Sequence, residues 1–132
     1  MGTVDPIAGR ETWHAVSQVR RGENGEITAE AVAGADSPWF DGHFPGSPIL
    51  PGIAQLAIIE ETVRRAGNGD GAISEVHRLR FKGMVRPGER MTVTARPADE
   101  SGNRFSVRVS TDGGIVCSGT VRTEGRGLSD ED

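Results

Sequence analysis

The sequence predicts an α+β domain in which a curved antiparallel sheet wraps around one central helix. A helical stretch at 53–66 is apolar on most of its sides, and four segments after it alternate between apolar and polar residues. A helix of that kind must be buried on most of its sides, so strands have to cover it. The chain has 132 residues, which is enough for one hydrophobic core and too few for two.

Residues that typically start and stop helices bound this helix. Pro51 and Gly52 precede it, and the glycine-rich segment 67–69 follows it. Proline near the start and glycine beyond the end are the usual boundaries. We therefore expect the helix to span residues 53–66.

Alternation of apolar and polar residues predicts six strands. Residues 12–20 and 26–33 alternate weakly around a turn at 21–25, which is typical of a hairpin. Four further strands are expected after the helix, at 78–82, 91–95, 105–109 and 115–121. Turns that contain glycine or proline separate most of them.

Composition and charge exclude several classes of function. The net charge is −4 and no surface of interleaved basic and aromatic residues is apparent, which disfavours nucleic-acid binding. No apolar stretch is long enough to span a membrane and the first residues lack a signal-peptide pattern, so we expect a cytoplasmic protein without a membrane partner. Neither His14 nor His77 has a second ligand at metal-binding spacing, so no metal site is expected.

The single cysteine and the chain end complete the domain prediction. Cys117 excludes an internal disulfide, fits a reducing compartment and, within an apolar run, is interpreted as a core or interface residue. Residues 1–123 are expected to form the domain. Residues 124–132 carry four acidic residues and one arginine, and they are expected to form a flexible acidic tail.

The charge is unevenly distributed, because residues 63–90 hold seven basic and three acidic side chains. The basic residues are Arg64, Arg65, Arg78, Arg80, Lys82, Arg86 and Arg90. Two interpretations remain open: a solvated strand face, or a surface that steers an acidic partner.

The most informative stretch, residues 41–56, places one histidine among several prolines and glycines. These residues fix an extended loop around His43, and the loop delivers Pro51 and Gly52 directly into the helix. A helix start presents free backbone N–H groups and a positive dipole end. Such donors suit a carbonyl oxygen that gains negative charge, and a nearby imidazole can remove a proton to form an enolate-like intermediate.

Residues 42–52 read Gly-His-Phe-Pro-Gly-Ser-Pro-Ile-Leu-Pro-Gly. This segment resembles the Gly-His-Phe-Pro-x-x-Pro-x-x-Pro-Gly motif of the hotdog-fold β-hydroxyacyl-ACP dehydratases. A weaker match lies at 80–91, and the order of elements makes the resemblance extend over roughly residues 12–122. The start Pro-Gly-x-x-Gln-Leu is also similar to the dehydratase-like proteins of aryl polyene pathways.

The resemblance implies a dehydratase that acts at subunit interfaces. Its substrate would be a 3-hydroxyacyl thioester on the phosphopantetheine of an acyl carrier protein or of coenzyme A, with no other cofactor. The product would be a 2-enoyl thioester in fatty acid or polyketide-type biosynthesis. The assembly would be a homodimer, a higher homo-oligomer or a hetero-oligomer. His43 matches the catalytic histidine, and Gly52 matches the glycine whose N–H receives the thioester carbonyl.

One position departs from the family pattern. The family has a catalytic carboxylate fourteen residues after the histidine, where this chain has Ala57. Glu60 and Glu61, one helical turn later, are the candidates to replace that acid; alternatively they are solvated or pair with Arg64 and Arg65.

Residues next to His43 and Gly52 are expected to line the substrate site. They are Phe44, Pro51, Ile53, Gln55 and Ala57. Gln55 is expected to satisfy a buried backbone group, with orientation of a water or the substrate as the alternative. Asp41 is expected to initiate a turn, or else to orient the imidazole.

Two other functions remain open from the sequence. The first is an acyl thioesterase, with Gln55, Glu60 or Glu61 activating water. The second is a non-catalytic acyl-binding subunit that works only with a partner, which Ala57 would favour.

Overall fold

One helix and six strands make up the computed structural model, which describes residues 13–41, 48–67 and 72–124. The helix is α1 (Gly52–Arg65), and a 3₁₀ turn at Pro38–Phe40 precedes it. The strands are β1 (Ala15–Arg21), β2 (Ile27–Val32), β3 (Ile73–Phe81), β4 (Met91–Pro97), β5 (Arg104–Thr111) and β6 (Gly114–Thr123). The predicted elements are confirmed, with the largest differences at two strand starts. β1 begins three residues later than expected, so His14 lies just before it, and β3 begins at Ile73, five residues earlier than expected.

The strands form one sheet in the order β1-β2-β4-β5-β6-β3, with every neighbouring pair antiparallel. The chain enters α1 after β2, which lies near one edge, and continues from α1 into β3 at the opposite edge. The helix therefore connects the two sides of the sheet and packs against its face, as the α+β prediction requires.

A row of small and branched side chains on one face of the sheet forms the floor beneath the helix. Ala29 pairs with Val93, Val93 with Val109, and Val109 with Cys117, so the row crosses four strands. All four residues are buried. Cys117 is thus a core residue, and burial raises the pKa of its thiol to about 11.

Both edge strands are bulged. In β1 the register shifts between Ser17 and Arg20, and Gln18 has a φ of 55°. In β3 the register shifts twice, between Ile73 and Glu75 and between His77 and Arg80, and Arg78 has a φ of 54°. Bulges at sheet edges interrupt the regular ladder, so another strand could pair only with the unbulged parts of β1 and β3.

The bulge in β3 fits closely against Gly119 of β6. A Cβ added to Gly119 would lie 2.8 Å from the Cα of Leu79 and 3.2 Å from the carbonyl oxygen of Arg78. Backbone atoms cannot yield as a flexible side chain can, so the edge strand would have to shift.

Gly119→Ala is expected to lower the free energy of unfolding by about 1–3 kcal/mol through overpacking, measured by urea denaturation. Gly34→Ala is the matched control, because a Cβ at Gly34 would meet nothing within 4 Å. Equal stability of the two variants would contradict the close fit of β3 on Gly119.

None of the helices in the described part of the chain is long and apolar enough to cross a lipid bilayer.

Candidate functional site at the start of the helix

The helix α1 begins without a side-chain cap. Pro51 occupies the capping position with a φ of −70° and a ψ of 159°, and it has no side-chain oxygen to offer. Within the described residues, no acceptor is bonded to the backbone N–H groups of Gly52 and Ile53. These donors, at the positive end of the helix dipole, form a small site for a partially negative oxygen.

The ring of Phe81 covers Gly52. A Cβ added to Gly52 would lie 2.7 Å from Cζ of Phe81, so only a residue without a side chain fits under the ring as it stands. Phe81 ends β3, and 48% of its surface is exposed. The ring is therefore a partly exposed cover over the helix start.

An exposed apolar surface surrounds this point. Ile53 follows Gly52 in the chain, and Met84 precedes Val85, whose carbonyl accepts from the N–H of Leu50 at 2.8 Å. Ile53 is 43% exposed and Met84 is 52% exposed. Together with Phe81 they form an apolar surface beside the uncapped helix start, which suits an acyl chain or a second protein chain.

Gln55 lies in the first turn of α1 and is only 2% exposed. Its Oε1 has no hydrogen-bond partner, and among the described residues it is the one buried side-chain oxygen or nitrogen in that state. The expectation that Gln55 satisfies a buried backbone group is therefore wrong. A buried amide oxygen without a donor is costly, so its presence requires a separate explanation.

Ala57 is buried, with 6% of its surface exposed, and carries no polar group. Glu60 and Glu61 are also buried, which contradicts the expectation that they are solvated. Glu61 does pair with Arg65, at 2.9 Å, as one of the alternatives predicted. Glu60 accepts a hydrogen bond from the backbone N–H of Ile73 at 2.8 Å. Both carboxylates therefore already have partners within the fold.

A buried network centred on His14 holds Glu61. The indole N–H of Trp39 donates to Nδ1 of His14 at 3.0 Å, and Nε2 of His14 lies 2.9 Å from Oε1 of Glu61. Because Nδ1 accepts, Nε2 must carry the hydrogen, and it donates to the carboxylate. Arg65 belongs to the same network. It pairs with Glu61 and also donates to the carbonyl of Val16 at 2.8 Å.

The same network anchors the turn that leads into the motif. Trp39 belongs to the 3₁₀ turn, and its backbone N–H donates to Ser37 Oγ at 3.2 Å. The Ser37 hydroxyl in turn donates to the carbonyl of Trp13. The rings of Trp13 and Trp39 pack edge to face with their centroids 4.9 Å apart. Asp41 closes the turn with its backbone N–H on the carbonyl of Pro38, at 3.0 Å.

Sequence reasoning missed this network. The available signal was the pair of tryptophans in a chain with only 5% aromatic residues. A buried indole N–H usually needs a partner, and a nearby histidine was the natural one to consider.

The structure brings together part of the predicted site. Pro51, Gly52, Ile53 and Gln55 lie in the first helical turn, and Ala57 lies further along the helix. His43 and Phe44 lie outside the described residues. Among the described residues, no group of three or more His, Cys, Asp or Glu side chains is placed to hold a metal ion.

Comparison with known proteins identifies the family. The family model ApeI-like, described as ApeI dehydratase, matches residues 18–120. The chain belongs to the ApeI-like dehydratase family. The match includes the uncapped helix start, Phe81 and the whole sheet except its ends.

Two curated relatives of this ApeI-like chain are 3-hydroxyacyl-acyl-carrier-protein dehydratases named FabZ. The chain is 31% identical to FabZ of Polynucleobacter necessarius over 112 residues, which is 75% of each protein. It is 30% identical to FabZ of Streptococcus thermophilus over 115 residues, which is 80% of this chain and 82% of the relative.

A solved structure shows the same fold for the ApeI-like chain. The dehydratase heterocomplex ApeI:P from Xenorhabdus doucetiae contains a chain that matches with a TM-score of 0.67 at 21% identity. The match covers 82% of this chain and 95% of that one. The hotdog arrangement expected from the motif is thereby confirmed.

Proposed function

We propose that this protein dehydrates 3-hydroxyacyl thioesters to 2-enoyl thioesters, in fatty acid or polyketide-type biosynthesis. The observation that carries the proposal is the uncapped start of α1 with the free N–H of Gly52, which follows the His-Phe-Pro motif in the sequence. The FabZ relatives are named for this reaction, and the family model describes a dehydratase.

In the proposed mechanism, the thioester carbonyl oxygen accepts a hydrogen bond from the Gly52 N–H. The helix dipole adds to this donor, and both stabilise the negative charge that grows on the oxygen. The carbonyl then acidifies the α-carbon, and the imidazole of His43 removes its proton. An uncapped helix start is suited to this task because its donors are oriented before the substrate arrives.

Elimination requires an acid as well as a base. The bond from the β-carbon to the hydroxyl breaks as the carbon–carbon double bond forms, and the hydroxyl leaves as water after gaining a proton. Ala57 has no proton to give, and Glu60 and Glu61 are engaged with Ile73 and with His14 and Arg65. We infer that the imidazolium of His43 returns the proton it took, so that one residue serves as base and acid.

Oligomerisation is proposed to take place through β3. This edge strand is exposed along most of its length and presents Val76, at 40% exposure, as well as Phe81. A second hotdog chain that paired with β3 would extend the sheet and cover the apolar surface beside the helix start. A homodimer and a complex of two different chains both fit this edge; the ApeI:P neighbour is a heterocomplex.

The thioester is proposed to arrive on an acyl carrier protein or on coenzyme A in the cytoplasm, where the lone thiol of Cys117 would stay reduced. Basic side chains near the end of β3 support an acidic carrier. Arg78, Arg80, Lys82 and Arg86 are exposed, and none forms an ion pair with any residue in the described part of the chain. Unpaired surface charges of one sign speed encounter with a partner of the opposite sign.

Incubation of the purified protein with a 3-hydroxyacyl thioester, followed by mass spectrometry, tests the proposal. We expect loss of one water from the acyl group and no free thiol. Free thiol would instead indicate thioester hydrolysis, and an unchanged substrate would contradict catalysis by this chain alone.

A carrier-bound substrate should be preferred over a pantetheine substrate at low salt, and the preference should shrink as salt screens the charges.

A further inference from the structure

We propose that Gln55 is a specificity-determining residue whose Oε1 accepts a hydrogen bond from the 3-hydroxyl of the substrate. This inference deepens the proposed function and rests on it. It begins from the one buried side-chain oxygen in the described part of the chain that has no donor. A 3-hydroxyacyl group carries the missing donor, whereas a plain acyl group and the 2-enoyl product do not.

The position of Gln55 on the helix brings its side chain to the site. Side chains on a helix lean toward the N-terminus, over the residues three and four positions earlier. For Gln55 these are Gly52 and Pro51. Gly52 has no side chain of its own there, so a substrate held at its N–H would lie on the side toward which Gln55 leans.

The spacing of Gly52 and Gln55 suits a substrate whose two oxygens lie close together. Gly52 and Gln55 are three residues apart, which is a rise of about 4.5 Å along the helix. In a 3-hydroxyacyl thioester, two carbon–carbon bonds of about 1.5 Å separate the carbonyl carbon from the carbon that bears the hydroxyl. One small acyl group can therefore place its carbonyl oxygen on Gly52 and its hydroxyl on Gln55.

The half-exposed ring of Phe81 covers this point, so a substrate must displace or pass the ring to reach Gln55. Because Gln55 is only 2% exposed, water competes little with the substrate hydroxyl for its Oε1. A ligand without the hydroxyl would leave Oε1 unpaired. A buried polar group that is matched only by the correct substrate discriminates strongly against analogues that lack the matching group.

Gln55→Met provides the test, since methionine has a similar length and no amide. Binding of a 3-hydroxyacyl pantetheine amide and of the matching acyl pantetheine amide is measured by calorimetry. The amide linkage slows elimination, so affinity is measured without turnover. We expect the wild-type protein to bind the hydroxylated ligand about 10–100-fold more tightly, and Gln55→Met to reduce this ratio to about twofold or less.

Thermal unfolding gives a second measurement, in which the substitution should lower ligand preference without lowering the melting temperature. Because Oε1 is unpaired in the free protein, Gln55→Met should melt at the same temperature as the wild type or higher. Gln18→Met, at the other glutamine of the chain and on the exposed strand β1, is the matched control and should keep the full ligand preference. A large drop in melting temperature for Gln55→Met, with the ligand preference unchanged, would overturn the assignment and make Gln55 structural.

The outcomes separate this inference from the proposed function. Wild-type protein that dehydrates its substrate but binds both amides equally would refute the role of Gln55 alone. Selective binding of the hydroxylated amide without any enoyl product would refute dehydration by this chain and keep the role of Gln55. Failure to bind either amide would refute the inference as well.

Discussion

Replacing His43 by alanine is expected to lower the rate of enoyl thioester formation by roughly 10²–10⁴-fold, the usual contribution of a general acid–base group. The effect should approach the upper end because the same imidazole is proposed to act as base and as acid. Enoyl formation is followed by mass spectrometry of the acyl thioester, and circular dichroism checks that the variant is folded. The Michaelis constant should change far less than the turnover number, since Gly52 still binds the carbonyl.

The other two of the three histidines are unsuited to catalysis, which supports His43 as the catalytic residue. His14 is buried with both ring nitrogens engaged, by Trp39 and by Glu61, so it has no free nitrogen for a substrate proton. His77 lies exposed on β3 and bonds Glu75 at 3.0 Å. His77→Ala is therefore the matched control and should keep nearly the full rate. A His43→Ala variant with more than about a tenth of the wild-type rate would exclude the mechanism.

The architecture could be predicted from the sequence because local signals agree with the final packing. Pro51 and Gly52 mark the start of α1 within one residue, and alternation identifies β2, β4 and β5 most clearly, since one face of each lies on the core. Alternation locates β3 less well, because most of its residues are exposed. The bulges at Gln18 and Arg78 could not be predicted, because an alternating pattern carries no information on a single positive φ. They depend on tertiary fits such as that of Gly119 against the backbone of β3.

The candidate site could be predicted only in part. The motif identifies Gly52 and its free N–H, because helix starts always leave such donors. The roles of Glu61 and Gln55 depend on side chains far away in sequence: Glu61 meets His14 across 47 positions, and Gln55 is defined by the lack of any partner. A sequence pattern shows that a residue is polar and on a helix, but not whether a distant donor reaches it.

The buried network also explains why Glu61 cannot replace the acid that is missing at Ala57. Its Oε1 accepts from His14 and its Oε2 from Arg65, both at 2.9 Å. Both oxygens of this buried carboxylate are therefore held by partners within the fold. This strengthens the assignment of both proton transfers to His43.

Glu61→Ala is expected to lower the free energy of unfolding by about 2–4 kcal/mol, because it leaves the N–H of a fully buried histidine without an acceptor. The side chain of His14 is only 1% exposed, whereas that of Arg65 is 52% exposed and can turn to water. Most of the loss should therefore come from His14. Glu61→Gln keeps an acceptor for His14 and should lose less than half as much. Urea denaturation of the wild type, Glu61→Ala and Glu61→Gln measures the free energy of unfolding of each protein.

The chain offers an exposed copy of the same contacts as a control. Glu75 also lies between a histidine and an arginine, His77 and Arg122, and the His77 hydrogen bond is the main cause that lowers the pKa of its carboxyl. Because water surrounds this triad, Glu75→Ala should change stability little. Comparable losses for Glu61→Ala and Glu75→Ala would mean that burial adds nothing to the network. A large loss confined to Glu61→Ala would show that the Trp39–His14–Glu61 network ties the turn ahead of the motif to α1.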